Sequence, residues 1–344
     1  MSTLIVEVCE IKNIEHHLEA DRLDTAIVKG WQVVVKRDEY VDGDKVVYFP
    51  PDTLLPEKWT DEFGVSNYCS KRADGMQIRQ ARLRGEPSFG LVVRVPDESW
   101  EIGKDVADIF GAKKYEPPIR TSSGDVLCKT HPLFPRYVDI ENLQNFVDIF
   151  DEGEEVIATE KCDGTNVRFG LIEGEWMAGS RELIRKKPDT EEEMKRHLYW
   201  LPYCIDTVKN MVEYLSKTYK IAIVYGETYG KVQALTYGIP GKIAFAAFDI
   251  YVDGKWLDYD EFYQLCTKFA VPVVPLIYRG PFSIEAIKKA SEGKTQISGE
   301  HIKEGVVVKP IKERNHPKIG RVILKWKSTA YLLSKHHKKD TTDI

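Results

Sequence analysis

Lys161 stands in the run Glu160-Lys161-Cys162-Asp163-Gly164-Thr165-Asn166, between the apolar stretches Val156–Ala158 and Val167–Phe169. A lysine between two strands, beside an acid and a glycine, can act as a nucleophile. Its ammonium, with a reference pKa of about 10.4, must first be brought toward neutrality by burial or by cationic neighbours. The plainer alternative is a hairpin turn, since Asp-Gly is a favoured turn pair. Glu227, in Gly226-Glu227-Thr228-Tyr229-Gly230, is a carboxylate that follows an apolar strand. The glycines around it admit close approach of backbone to a ligand; a solvated strand-end acid is the other reading. Phe248, in Ala247-Phe248-Asp249-Ile250, falls by strand alternation on the face opposite Ala247 and Asp249. It could stack on a nucleobase or fill the core.

Glu304 and Lys309 bracket Gly305-Val306-Val307-Val308. An odd separation puts them on opposite faces of a straight strand. Both reach one site only if Glu304 precedes the strand or the strand bulges at Gly305. Lys325 and Lys327, on either side of Trp326, share one strand face. Two ammonium groups that close repel unless an anion such as a triphosphate lies between them; a solvated edge strand guarded by lysines is the alternative. From His301 to Lys339 there are eleven Lys or Arg against two acids, so this surrounding stretch is basic.

These residues must be held by two different kinds of domain. Up to about residue 112 the chain shows short β-rich runs: Leu4–Val8, Thr25–Val28, Gln32–Val35, Lys45–Tyr48 and Leu91–Val95. Turn chemistry such as Lys29-Gly30 and Asp42-Gly43-Asp44 separates them, which suits a small oligonucleotide-binding (OB) barrel. Arg79, Arg82 and Arg84 belong to a basic stretch here. In a strand, Arg82 and Arg84 would share a face and could meet nucleic acid, or simply be solvated. Residues 113–135 hold Pro117-Pro118, Thr121-Ser122-Ser123-Gly124, Pro132 and Pro135, the composition of a linker. From 136 to 344 the pattern is α+β. Helices are expected from Asp189-Thr190 through Tyr219 with a break near Pro202, over Asp258–Phe269, and over Ser283–Ser291. Buried strands are expected at Ile221–Tyr225, Ile243–Ile250, Gly305–Val308 and Val322–Leu324.

Composition sets the outer limits. The 344 residues suit two domains. The 49 Lys and Arg against 54 Asp and Glu give a net charge of −5, which excludes a chain-wide cationic nucleic-acid sponge but not a local basic groove. No apolar run approaches the ~20 residues that span a bilayer, and the N-terminus lacks the pattern of a secretory signal. The six cysteines are widely spaced, without a zinc-type pairing. Reduced thiols in an intracellular, cytoplasmic protein are the expectation.

Taken in order, Lys161-Cys162-Asp163-Gly164, Gly226-Glu227, Ala247-Phe248-Asp249-Ile250, Glu304-Gly305-Val306-Val307-Val308-Lys309 and Lys325-Trp326-Lys327 resemble the motifs of the covalent nucleotidyltransferase superfamily. That superfamily holds ATP-dependent DNA and RNA ligases and GTP-dependent capping enzymes. Glu160 before the nucleophile, Thr165-Asn166 after it, and the upstream Asp139-Ile140-Glu141-Asn142-Leu143-Gln144-Asn145 are similar to the nick-sealing RNA ligases. An OB module placed before the catalytic domain is similar to the Deinococcus-type RNA ligases. The resemblance covers about Pro135 to Lys327.

The resemblance implies an ATP-dependent RNA ligase of metal-dependent RNA repair. Lys161 would take AMP from ATP with Mg2+ or Mn2+, pass it to the 5′-phosphate of a nick, and let the 3′-OH expel it. Glu160 would line the adenosine pocket, Arg181 contact ribose or phosphate, Glu227 hold the ribose hydroxyls and Phe248 stack on adenine. Glu304 would act near the metal. Lys309, Lys325 and Lys327 would bind phosphates and depress the Lys161 pKa. Asn166 would act after adenylylation. Arg79, Arg82 and Arg84 would grip nicked duplex RNA, and the enzyme would be a monomer with no membrane partner. The competing readings are a GTP-dependent capping-type transferase, a DNA-specific ligase and a catalytically idle nucleic-acid-binding protein.

Overall fold

Strict alternation sets two neighbouring strands in the first part of the chain. In Trp31–Lys36, Trp31, Val33 and Val35 are buried; in Leu23–Val28 it is Asp24, Ala26 and Val28. A period of two buries one face of a pleated ribbon. The computed structural model describes residues 4–116, 125–128 and 131–334. They fall into two compact units, residues 4–116 with 144–147, and residues 125–128, 131–143 and 148–334.

The first unit is built of short antiparallel strands. Glu7–Glu10 and Leu91–Arg94 flank Lys45–Phe49, and Lys12–His16, Leu23–Val28 and Trp31–Lys36 form a meander. Val6, Val8, Val47, Phe49, Ile78, Val93 and Phe110 fill its core, with Phe49 and Phe110 packed edge to face. Two sequence expectations change here. Lys113–Lys114 is not linker: it pairs with Thr53–Leu55 as an edge strand of this unit. Arg84 does not share a strand face with Arg82. The strand Gln80–Leu83 ends first, and Arg84 turns at φ +51° ahead of Gly85. Arg82 is exposed on the strand, whereas Arg79 donates to Ser70 Oγ at 3.1 Å. Part of the remaining expected linker, residues 117–124 and 129–130, lies outside the described residues, as does the basic tail beyond residue 334.

The second unit has two main sheets. One has seven strands and includes, as neighbours, Glu175–Gly179, Thr165–Ile172, Ile221–Gly230 and Ile243–Val252. The other has five, with Leu324–Lys327, Gly305–Pro310, Glu155–Glu160 and Leu276–Pro281 side by side. Helices Asp206–Ser216 and Tyr259–Phe269 cover one face of the larger sheet. Val208, Met211, Val212, Phe262 and Cys266 meet Val167, Phe169, Val224, Ala247 and Ile250 there. Each fully buried aliphatic or aromatic side chain contributes about 1.5–3 kcal/mol. Sequence capping signals hold: Thr190 and Asp258 form capping boxes with Glu193 and Glu261, and Ser283 caps Ile284–Ser291. The expected long helix after Thr190 is three pieces, Glu191–Arg196, a 3-10 turn at Leu201–Cys204, and Asp206–Ser216. The last strand begins at Leu324 rather than Val322.

Candidate active site

Lys161 is not on a hairpin. The strand before it, Glu155–Glu160, belongs to the five-stranded sheet; the strand after it, Thr165–Ile172, belongs to the seven-stranded one. The Lys161–Gly164 turn carries the chain from one sheet to the other. Gly164 is needed there because a Cβ would lie 2.3 Å from Thr228 O. The crossing puts the Lys161 side chain in a pocket whose lining comes from both sheets. Glu227, Phe248 and Asn166 come from the larger sheet; Glu160, Val307 and Lys309 come from the smaller.

Phe248 reaches this pocket through a break in strand alternation. Across the Ile221–Gly230 / Ile243–Val252 pair, Tyr225 faces Asp249 and Gly226 faces Ala247, leaving Phe248 as the extra residue of a bulge. The bulge reverses the phase of the strand. Ala247 and Ile250 both face the helices, while Phe248 and Asp249 both line the pocket. Simple alternation, which separates Phe248 from Asp249, is thereby overturned. Glu227 pairs across the sheet with Asn166, whose buried Oδ1 has no hydrogen-bond partner in the structure.

Glu304 precedes the strand Gly305–Pro310, the first of the two possibilities its spacing allows. Gly305 makes the entry at φ +149°, where a Cβ would sit 2.1 Å from Trp326 O. Pairing of Gly305 with Lys327 then brings Lys327 beside Glu304, while Lys325 lies further along, opposite Val307. Lys161 Nζ donates to Glu304 Oε2 at 2.6 Å, and Lys327 Nζ lies 3.1 Å from Oε1. Glu304, expected near a metal, is here the counter-ion of two ammonium groups.

The electrostatics follow from that arrangement. Burial would push Lys161 down, but the adjoining Glu304, aided by Glu227 and Asp163, holds its ammonium above the ordinary lysine range. The expectation that nearby lysines depress it is therefore corrected: the carboxylate prevails over them. Burial opposes ionisation of Glu304, yet Lys161 and Lys327 bring it down to about 2. Lys325, without such a partner at contact distance, is lowered to about 8 by burial and by the charges of Lys327 and Lys161. Burial raises Glu227 to about 8 against the pull of Lys161. Burial also keeps the Cys162 thiol protonated.

Lys309 was expected on phosphate. In the structure it is committed elsewhere: Nζ bonds Asp249 and lies 3.3 Å from Glu313 Oε1. Arg321 completes a closed set, 2.9 Å from Asp249 and bonded twice to Glu313 at 2.6 and 2.7 Å. Tyr137 adds its hydroxyl to Asp249 and its ring, edge-on at 5.0 Å, to Phe248. Two anions and two cations neutralise one another behind the aromatic wall. A buried ammonium requires such partners. Burial would raise Asp249, but Arg321 and Lys309 hold it below the usual carboxylate range.

Arg181 does not line the pocket. It is ion-paired with Asp139 and, at 3.2 Å, with Glu182, on a half-exposed surface. Sequence reasoning gave no role to Tyr137, Asp249, Glu313, Arg321, Thr295 or Tyr237. Of these, only Asp249 lies in a quoted motif, and nothing in the spacing connects the others.

The RNA ligase family's sequence model matches residues 154–327, and an OB-fold domain family matches residues 5–95. The first unit is accordingly an OB-fold domain placed ahead of a ligase domain. A comparison with curated proteins returns no match. Among solved structures, the chain is similar to a Naegleria gruberi RNA ligase with pyrophosphate, at 23% identity, a TM-score of 0.74 and 100% coverage of both chains. It is also similar to a lysine-to-alanine variant of the Naegleria gruberi RNA ligase with ATP and Mn, at 24% identity and a TM-score of 0.75, covering 97% of this chain and 99% of that one. At these identities the likeness speaks to the fold. No helix among the described residues is long and apolar enough to cross a membrane. The matched segment runs from the strand ahead of Lys161 to Lys327 and takes in all five motifs around the pocket, and the chain belongs to the RNA ligase family.

Proposed function

We propose that this RNA ligase is ATP-dependent and seals 3′-OH/5′-phosphate nicks in duplex RNA through a lysyl-AMP intermediate. In the first step the neutral Lys161 amine attacks the α-phosphate. A P–N bond forms, the P–O bond to pyrophosphate breaks, and the amine gives up its proton. AMP then passes to the 5′-phosphate of the nick. The 3′-OH attacks that phosphate, forming the phosphodiester and releasing AMP. The carrying observation is the position of Lys161 at the crossing of the two sheets, with Glu227 and Phe248 on one wall of the pocket and Glu304 bonded to Lys161 and Lys327 beyond it.

The pocket's own groups divide the work. Phe248 offers a face for adenine, Glu227 accepts from the ribose hydroxyls, and Glu160 lines the adenosine end. Lys325 and Lys327 take phosphate charge. Asn166, whose Oδ1 is unpartnered, meets the polynucleotide after adenylylation. Arg181 reaches ribose or phosphate on release from Asp139. Lys309 supports the base wall rather than the phosphates. A divalent cation of the Mg2+ or Mn2+ kind takes one or two carboxylates and leaves the rest of its shell to water and substrate phosphates. Glu304 is the carboxylate that would hold it, and it would neutralise phosphate charge. The ATP and Mn in the Naegleria gruberi variant's structure support ATP as the nucleotide and a divalent cation as its companion.

The order of OB domain and ligase domain supports the Deinococcus-type arrangement, with Arg79, Arg82 and Arg84 as candidate contacts to the duplex backbone. RNA repair by a monomer in the cytoplasm is the setting this reading gives the enzyme. The test is incubation with α-labelled ATP and, separately, α-labelled GTP and a divalent metal. Covalent label from ATP on the wild type, and none on Lys161→Ala, is expected. Label from GTP alone would move the protein to the capping branch, and none from either would leave a nucleic-acid-binding protein. Nicks with ribose or deoxyribose 3′-ends then separate RNA from DNA sealing.

A further inference from the structure

We infer that Tyr237 is a positioning residue for the nucleophile: its hydroxyl fixes the turn after Lys161, and with it the place from which the Lys161 amine attacks. This rests on the reading that Lys161 takes AMP from ATP.

The residues between Glu160 and Thr165 leave one sheet and enter the other, so they lie outside both strand ladders. Their backbone groups must find partners elsewhere. Ahead of Lys161, Glu160 accepts from Thr295 Oγ1 at 2.5 Å and from the Gln296 N–H at 2.7 Å, and the Lys161 N–H donates to Gly305 O at 2.9 Å. Beyond Lys161 the partners come from residues 231–242, which join the strands Ile221–Gly230 and Ile243–Val252. The Asp163 N–H donates to the Tyr237 hydroxyl at 2.6 Å. In return Asp163 Oδ2 accepts the Leu235 N–H at 3.3 Å, and Gly164 O accepts from Gln233 Nε2 at 3.4 Å. The Tyr237 bond is the shortest of the three.

Tyr237 is held in a strained conformation. Its φ is +50°, in the left-handed region that bulky side chains rarely adopt. Such strain persists only where the surroundings over-determine it. Tyr237 is fully buried, in one apolar cluster with Cys162, Leu235, Val274 and Tyr331. Its ring meets Tyr229 at 5.1 Å and His301 at 4.6 Å, both edge-on. Next to it, Gly238 and Gly299 bring two backbones so close that a Cβ on Gly299 would lie 3.0 Å from Gly238 N. A phenylalanine would supply the same ring. The hydroxyl adds an acceptor for a buried N–H two residues from Lys161. Without it that N–H draws the turn toward another partner or toward water. Once Lys161 loses its proton, and with it the ion pair to Glu304, the turn sets where its amine lies, and small misplacements of an attacking atom are costly.

The test separates chemistry that uses the Lys161 amine from chemistry that does not. Single-turnover transfer of AMP from α-labelled ATP requires that amine to attack. Sealing of a nick whose 5′-phosphate already carries AMP forms the phosphodiester with no bond to Lys161. Tyr237→Phe should slow labelling about tenfold to a hundredfold with little change in KM for ATP. It should seal the pre-adenylylated nick near the wild-type rate. Gly238→Ala, at an exposed position whose φ of +69° strains any side chain, displaces Tyr237 and leaves its ring intact. It should show the same selective loss, and it carries the test if Tyr237→Phe does not fold. Circular dichroism establishes the folding of each variant. In a folded variant, unchanged labelling, an equal loss in both reactions, or a loss through KM alone would overturn the assignment. Failure of the wild type to take label from ATP is a different result: it rejects the nucleotidyl-transfer reading and this inference with it.

Discussion

Lys161 and Glu304, 143 residues apart in sequence, are bonded at 2.6 Å. The would-be nucleophile is thereby stored as an ammonium ion. A positively charged amine has no lone pair to offer, so catalysis depends on loss of that proton. In the free protein Glu304 resists the loss.

That pairing gives a pH dependence. The folded-state pKa of Lys161 is raised by Glu304 over the opposing effect of burial, so the fraction of neutral amine grows only as pH rises into the alkaline range. The single-turnover rate of Lys161 labelling should climb with pH. In Glu304→Gln the rising limb should move to lower pH, because burial is then opposed only by Glu227 and Asp163, while the maximal rate falls. A pH–rate profile with the limb unmoved would contradict this account.

Glu227 should report through stability. Burial lifts it to about 8 from an ordinary 4.5, so it keeps its proton at neutral pH in the folded state. Between those values the unfolded chain binds fewer protons than the folded one, so stability declines as pH rises from about 4.5 to about 8. Glu227→Gln, which stays neutral throughout, should raise Tm relative to wild type at pH 8 and change it little near pH 5. Thermal unfolding at the two pH values tests the sign.

Arg321 should matter to folding more than its distance from Lys161 suggests. Its loss leaves Asp249 and Glu313 to share Lys309 in a buried setting. Breaking a buried ion set in this way costs about 3–5 kcal/mol. Arg321→Met should lower the urea midpoint accordingly and weaken ATP binding as the wall behind Phe248 loosens. A midpoint close to wild type would show that the set is dispensable.

Gly305→Ala should abolish labelling of Lys161. A methyl group at φ +149°, 2.1 Å from the backbone oxygen of Trp326, must push apart the strands that carry Glu304 and Lys327. Circular dichroism of the purified variant would show whether the domain persists. Wild-type labelling would refute the strain argument.

Arg82→Ala tests the proposed role of the OB domain. Removing one phosphate contact should weaken binding to a nicked duplex and reduce the slope of log affinity against log salt by about 0.7–0.9. Affinities measured from low to moderate salt decide it; an unchanged slope would take Arg82 off the duplex.

The sequence alone carried the linear motifs, the capped helices and the shared face of Lys325 and Lys327. Each depends on residues a few positions apart, where backbone periodicity and local hydrogen bonds decide the outcome. It also confined Glu304 to two possibilities. It could not show that Lys161 lies where the chain changes sheets, since Lys-x-Asp-Gly suits a hairpin turn equally well locally. Nor could it show that the strand bulges at Phe248, which depends on which residue of the neighbouring strand each backbone group meets. The partners of the charged groups were the least legible part. Asp249, Lys309, Glu313 and Arg321 come together, and Thr295 reaches Glu160, only because the strands pack that way. Buried charges must find partners wherever the fold brings them within reach, whatever their separation along the chain. Tertiary structure therefore decided that Lys309 bonds Asp249 and Glu313 behind Phe248, and that Lys161 is held as an ammonium ion by Glu304.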